Sequence, residues 1–169
     1  LMKDQVDNLI EVGVKAAYIN STQSSEAIQK ILMEASIGEY KIIYISPERL
    51  ESKIFLERVN DIEISQISID EAHCVSQWGH DFRKSYLGIS KFYNMLEKKP
   101  IISAFTATAT EEVRDDSIKL LGLKNTYIYK GNINRENLKL IILKEIDKLE
   151  ELRDILRKNE GESGIIYCA

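Results

Sequence analysis

The chain has 169 residues, 44% of them apolar and 30% charged, with a net charge of −4. That length can bury a core in one ordinary domain or in pieces of two, and the mildly acidic balance gives no global electrostatic case for nucleic-acid binding, so any such contact must be a local patch. No apolar run approaches the roughly 20 residues of a membrane helix, and the two cysteines, Cys74 and Cys168, form no CxxC pair; a soluble, reducing, intracellular setting is expected instead of a membrane, a disulfide framework or a structural zinc site.

In chain order, Met2, Val6, Leu9 and Ile10 share one face of a helix that Gly13 can stop. Val14 to Ile19 is β-favouring. Ser21-Thr22 offers capping hydroxyls for a second helix, where Ile28, Ile31, Leu32 and Ala35 repeat the helical stripe up to Gly38. Lys41 to Ser46 carries the continuous apolar run Ile42-Ile43-Tyr44-Ile45, the pattern of a strand covered on both faces. Pro47 then suits the first turn of a helical stretch reaching about Val59. Apolar residues at 64, 67 and 69 predict a short buried strand ending at Asp70.

Ile89, Phe92, Tyr93 and Leu96 define another helical face, and Ile101 to Phe105 the next strand. Thr108 or Thr110 can cap a helix whose first turn holds Glu111 and Glu112, favourable against the helix dipole, and Gly122 closes it. Tyr127-Ile128-Tyr129, Leu138 to Leu143 and Gly164 to Tyr167 are further expected strands, with a helix through Leu149, Leu152 and Leu156 between the last two. This alternation predicts an α/β fold built from parallel βαβ units, with the polar segment 130–137 as the domain boundary.

The chemistry concentrates after the strand at 64–69. Asp70-Glu71-Ala72-His73 brings two adjacent carboxylates and a histidine to a strand end, where α/β sheets bind ligands. One carboxylate can hold magnesium through water while its neighbour activates the water that attacks a phosphate. On residue types alone, a helix cap with surface ion pairs is the favoured reading of Asp-Glu. A metal site using His73, His80, Asp70 and Cys74 matches none of the usual zinc spacings, and a Cys74 nucleophile beside His73 has little support because sequence neighbours seldom face each other. The following residues hold Trp78, Gly79, His80, Phe82 and Arg83. Their aromatics either anchor the loop on the core or stack on the bases of single strands, with Arg83 on phosphate.

The run from Asp70 to Arg83, Asp-Glu-Ala-His-Cys-Val-Ser-Gln-Trp-Gly-His-Asp-Phe-Arg, closely resembles the DEAH box plus aromatic-rich loop of the RecQ family of superfamily 2 DNA helicases. Other stretches agree in order. Leu1 to Val6 resembles motif Ia, Asn20 to Gln23 the next strand-to-helix turn, Tyr44 to Leu50 the "PERL" segment, Phe105 to Thr110 motif III, and Gly164 to Cys168 the start of motif IV.

The resemblance implies RecA-like parallel sheets flanked by helices: a partial first lobe at 1–131, a linker at 132–137 and the start of a second lobe at 138–169. It implies a parent enzyme that uses ATP and Mg²⁺ to move 3′ to 5′ on single-stranded DNA and unwind forked duplexes in recombination and repair, in the nucleoid if the source is bacterial. By the same resemblance Asp70 binds the magnesium shell, Glu71 serves as base toward water, and His73 links the phosphate site to neighbouring motifs. Trp78, His80, Phe82 and Arg83 sense DNA; Lys3, Gln5, Ser46 and Arg49 face its backbone; Thr106 and Thr108 couple hydrolysis to lobe movement.

Two stretches depart from the family pattern, Lys84-Ser85 after the loop and all but Arg135 and Asn137 of the linker. The sequence contains no GxxxxGK[ST] phosphate loop, and Leu1-Met2-Lys3 has neither an initiator Met nor a signal-peptide layout; a fragment that is inactive alone, and possible self-association through an exposed strand edge, are therefore expected. A DEAH-type RNA helicase and a non-catalytic single-strand or partner-binding module are the competing readings.

Overall fold

The computed structural model describes residues 2–131, 136–144 and 147–167. The chain divides into two compact units, Leu1–Tyr127 and Ile128–Ala169. The first unit alternates helix and strand in the order α1 (Met2–Glu11), β1 (Ala16–Ile19), α2 (Ser25–Ser36), β2 (Ile42–Ile45), α3 (Lys53–Leu56), β3 (Gln66–Ile69), α4 (Leu87–Met95), β4 (Ile101–Ala104) and α5 (Glu111–Leu120). Four short 3₁₀ turns lie between these elements, at Pro47–Glu51, Val59–Asp61, Ala72–Val75 and Lys84–Tyr86.

The described strands form two parallel pairs, β1 with β2 and β3 with β4, the second in the register Gln66 to Ile101 through Ile69 to Ala104. Parallel neighbours need a crossover, and α2 and α4 supply it in the two pairs. The partial sheets are less covered than the apolar runs predict. In β2, Ile42 is exposed and the next three residues are half-buried; in β3 only Ile69 is buried. An apolar run reports that a strand needs cover on both faces, and the described neighbours supply only part of it.

The core joins Ile19 of β1, Ile28 and Leu32 of α2, Phe55 of α3, Ile69 of β3, Ile89 and Phe92 of α4, and Leu121 after α5. Each such aliphatic or aromatic side chain taken from water contributes about 1.5–3 kcal/mol. Helix starts follow capping chemistry. Ser24, not Ser21 or Thr22, caps α2 by accepting the Ala27 N–H, because Asn20 Oδ1 engages Thr22 instead. Of the two threonines expected at α5, Thr110 is the cap, accepting the Val113 N–H. The stretch from Pro47 to Val59, expected as one helix, breaks at Ser52 into a 3₁₀ turn and the single-turn α3.

In the second unit, Asp147 caps α6 (Lys148–Lys158) by accepting the N–H groups of Leu149 and Glu150. Glu150 and Glu151 in its first turn and Arg157 and Lys158 in its last complement the helix dipole. The expected strands at 127–129, 138–143 and 164–167 form no strand pairing among the described residues, with Tyr127 at 87% and Leu140 at 95% exposure. A strand has no internal hydrogen bonds, so β-favouring residues become one only against a neighbour. Leu1 of the motif Ia match, residues 132–135 of the linker and Cys168 of the motif IV match lie outside the described residues. No described helix is long and apolar enough to cross a membrane.

Candidate active site and aromatic loop

The backbone assembles the site where β3 and β4 end side by side. The Phe105 N–H donates to Ile69 O at 2.8 Å, and the Ala72 N–H returns to Phe105 O at 2.9 Å. Between them, Asp70 is exposed at the strand end and its Oδ1 accepts the Glu71 N–H at 2.9 Å, its other oxygen making no hydrogen bond among the described residues. Glu71 stands in the left-handed region at φ 48°, ψ 44°. A non-glycine residue there costs on the order of 1–3 kcal/mol, a strain that clusters at functional positions. The Tyr86 hydroxyl, from the turn before α4, donates to Asp70 O at 3.2 Å, and burial pushes this phenol's pKa up.

His73 sits at the centre, 4% exposed in a 3₁₀ turn. Its Nδ1 lies 2.9 Å from Thr106 Oγ1 and 3.2 Å from Glu71 Oε2. A carboxylate can only accept, so this arrangement favours the tautomer with the proton on Nδ1. Thr106 Oγ1 also accepts the Thr108 N–H at 3.3 Å, which ties both threonines to the histidine. On its other side the His73 ring stacks on His80, centroids 4.8 Å apart and 14° from parallel. The box is thus joined to the segment after β4 and to the aromatic loop.

The loop leaves the box at Ser76 and returns where the Arg83 N–H donates to Cys74 O at 2.8 Å. Trp78 is 71% exposed, so it does not anchor the loop on the core; Phe82, at 38%, sits at the edge. Gly79 packs against the box so closely that a Cβ there would meet His73 O at 2.7 Å. Arg83 Nη2 pairs with Asp81 Oδ2 at 2.6 Å, and that bond holds the Asp81 carboxyl below its usual range.

Ligand atoms of His73, Cys74 and Asp81 lie within 4.8 Å of one another, a different set from the His73, His80, Asp70 and Cys74 grouping weighed above. Arg83 already occupies the Asp81 oxygen, and burial pushes the Cys74 thiol up, away from the thiolate a metal needs. The cluster is a hydrogen-bond network, with the Cys74 thiol donating to Asp81 at 3.7 Å.

The remaining candidates lie on neighbouring elements. Lys3 and Gln5 are exposed on α1. Ser46 and Arg49 flank Pro47 after β2; Arg49 Nε donates to Asn20 O at 3.0 Å, and Ser46 Oγ is buried near Glu48. This turn packs against Lys84–Tyr86 and α4. Backbone N–H bonding holds the Glu48 carboxyl below its usual range, with smaller contributions from Ser85 and from Arg83's charge.

Sequence reasoning missed three contributors: Tyr86 beneath Asp70, and the pair Ser76 and Asp116, whose side chains meet at 2.6 Å. Asp116 lies in mid-helix 40 positions from its partner, where no local pattern marks it.

A strand-end carboxylate pair, a buried histidine reaching the next strand's exit and an adjoining aromatic loop make up the site of this α/β domain. Residues 1–116 match the DEAD/DEAH box helicase family, and the chain belongs to that family, which implies a RecA-like α/β fold. Across its full length it is 48% identical to the ATP-dependent DNA helicase RecQ of Bacillus subtilis, of which it covers 29%. Over 99% of its length it is 37% identical to the RecQ of Pasteurella multocida and 33% identical to the ATP-dependent DNA helicase Q1 of Pongo abelii, covering 26% and 28% of those proteins. The resemblance to RecQ helicases therefore runs through the whole chain, which spans less than a third of these relatives' length.

Proposed function

We propose that the whole protein is an ATP-dependent 3′–5′ DNA helicase that translocates on single-stranded DNA and unwinds forked duplexes in recombination and repair, working inside the cell where the DNA is, in the nucleoid if that cell is bacterial. Residues 1–131 contribute part of its first RecA-like lobe, 132–137 a linker and 138–169 the start of its second lobe. The observation that carries this reading is His73, which contacts Glu71 and Thr106 on one side and stacks on His80 of the aromatic loop on the other.

The other carboxylate oxygen of Asp70 is a hard donor suited to Mg²⁺, which binds through one or two carboxylates, waters and substrate phosphates. When bound, Mg²⁺ and ATP supply the phosphoryl group and the charge neutralisation its transfer needs. The chain's own residues do the rest. Glu71 orients and deprotonates water, its αL backbone setting its carboxylate beside His73. His73, fixed by Thr106, transmits the state of the segment at 106–108.

Trp78 and Phe82 offer faces for base stacking, and a DNA phosphate can replace Asp81 on Arg83, because an exposed ion pair contributes little and is screened. His80 stays against the box, while Lys3, Gln5, Ser46 and Arg49 lie toward the strand's backbone. A cradle for the ATP phosphates is not among these residues, since the 169 positions contain no GxxxxGK[ST] segment. The 169-residue chain by itself is therefore inactive, and an unpaired edge of its short strands leads it to self-associate.

The test is Mg²⁺-dependent ATP turnover by the whole protein with single-stranded DNA or RNA of matched sequence. Stimulation by DNA well above RNA is expected. Stronger stimulation by RNA would favour an RNA helicase, and DNA binding without turnover would favour a non-catalytic module.

A further inference from the structure

We propose that Ser76 and Asp116 form a positioning bracket that holds Trp78 to α5, so that movement of the Thr106–Thr110 segment reaches the aromatic loop. The inference rests on the helicase reading for its catalytic consequence, but the bracket itself is a matter of geometry.

Ser76 is a polar residue with no solvent exposure. Its hydroxyl donates to Asp116 Oδ2 at 2.6 Å, the short length of a charge-assisted O–H···O⁻ bond. The same oxygen accepts the Trp78 N–H at 3.2 Å, and Ser76 O accepts the Gly79 N–H at 3.1 Å. A serine hydroxyl has one proton and two lone pairs. With the proton committed to Asp116, the lone pairs are fixed in direction, and one of them holds the backbone of Trp78. The tryptophan ring stands in solvent while its main chain hangs from a helix distant in sequence.

That helix begins at the Thr110 cap, two residues after Thr108, whose N–H is bound to Thr106. Asp116 lies in its second turn, between the buried Val113 and Ser117. A rotation of α5 must carry the Ser76 hydroxyl with it or break the bond to Asp116. Thr106 therefore reaches the loop by two routes, through His73 to His80 and through α5 and Ser76 to Trp78. In catalysis neither Ser76 nor Asp116 touches nucleotide or DNA; both act through Trp78.

The experiment compares Ser76→Ala, Asp116→Ala, Asp116→Asn and the double alanine variant in the whole protein, measuring ATP turnover with and without single-stranded DNA alongside thermal denaturation. The ratio of DNA-stimulated to DNA-free turnover should fall on the order of tenfold in either alanine variant, with the DNA-free rate within about twofold of the parent. The double variant should be no worse than either single one, because both remove the same bond. Asp116→Asn keeps an acceptor oxygen and should retain most of the stimulation. A stimulation ratio left at the parent value, or losses of both rates in step with thermal stability, would overturn the proposal.

A second measurement needs no catalysis. Trp78 is the sole tryptophan of the 169 residues, so in the whole protein, with any other tryptophan replaced by phenylalanine, the fast local component of its time-resolved fluorescence anisotropy reports loop order apart from overall tumbling. Ser76→Ala should enlarge that component, and an unchanged one would contradict the bracket. A parent protein without DNA-stimulated turnover would instead count against the helicase reading, leaving the anisotropy result to decide the bracket.

Discussion

Thr106 Oγ1 and His73 Nδ1 lie 2.9 Å apart, joining residues 33 positions distant in sequence at the exits of two neighbouring parallel strands. Because His73 is buried and Thr106 is exposed, the bond is a link from the inside of the box to its rim. Thr106→Val keeps the side-chain shape and removes the hydroxyl. It should cost about 1 kcal/mol of stability, the net value of an ordinary hydrogen bond, whereas Thr106→Ser should cost less because the hydroxyl remains. Urea unfolding of the two variants checks the difference; equal losses would show that the methyl group, not the bond, matters.

Gly79 and Gly38 separate steric from backbone cost. A Cβ at Gly79 meets His73 O at 2.7 Å, and main-chain atoms cannot swing aside as a flexible side chain can. Gly79→Ala should therefore displace the loop and cost about 1–3 kcal/mol. Gly38 has φ +75° with nothing within 4 Å of its Cβ direction, so Gly38→Ala should show only left-handed strain, about 1–2 kcal/mol, with DNA stimulation unaltered. Thermal denaturation and DNA-stimulated ATP turnover of the two variants in the whole protein would distinguish them. Normal stimulation in Gly79→Ala would mean the loop can relax around the new methyl group.

Alkaline stability should carry the signature of Tyr40. Its hydroxyl donates to the Glu34 carboxylate, and burial, then that bond and the negative charges of Glu34 and Glu39, push its pKa from 10.0 up to about 12. A raised folded-state pKa means that the folded protein holds this proton more tightly than the unfolded chain. The contribution is complete below pH 10 and is lost as the pH rises through about 12. Urea midpoints measured across that window should fall more steeply for the parent than for Tyr40→Phe. Parallel curves would show that the phenol titrates alike in both states.

Much of the first unit was legible because local rules apply there. Gly38 and Gly122 adopt φ of +75° and +67° past their helices, Thr110 caps α5, and the apolar run before Asp70 ends a strand, all features set by neighbours a few residues away. Cover and pairing by distant neighbours were not legible. Ile42 to Ile45 is apolar enough for cover on both faces, yet Ile42 is exposed, because composition states a requirement that only tertiary neighbours can meet. The expected strand at 138–143 failed for the same reason, having no paired neighbour among the described residues.

At the site, Asp70, Glu71 and His73 were legible as a contiguous motif. The partners that hold them were not. Tyr86 reaches Asp70 across 16 positions and Asp116 reaches Ser76 across 40, and neither belongs to a spacing that a helix or strand period would single out. The position of Trp78 was likewise open, since an aromatic in a loop can anchor or protrude; its 71% exposure places it outside the core.

That exposure makes Trp78→Ala the most direct probe of the proposed hydrolysis centre and its proposed DNA sensor. An exposed side chain should leave folding within about 0.5 kcal/mol of the parent, whereas losing a stacking face should weaken the response to DNA by roughly 1–3 kcal/mol, tenfold or more. The measurement is the ratio of ATP turnover with and without single-stranded DNA in the whole protein, against DNA concentration. The predicted result is a ratio falling toward one at unchanged thermal stability. Full stimulation at the parent's DNA concentration would contradict the account and return the loop to a purely structural role.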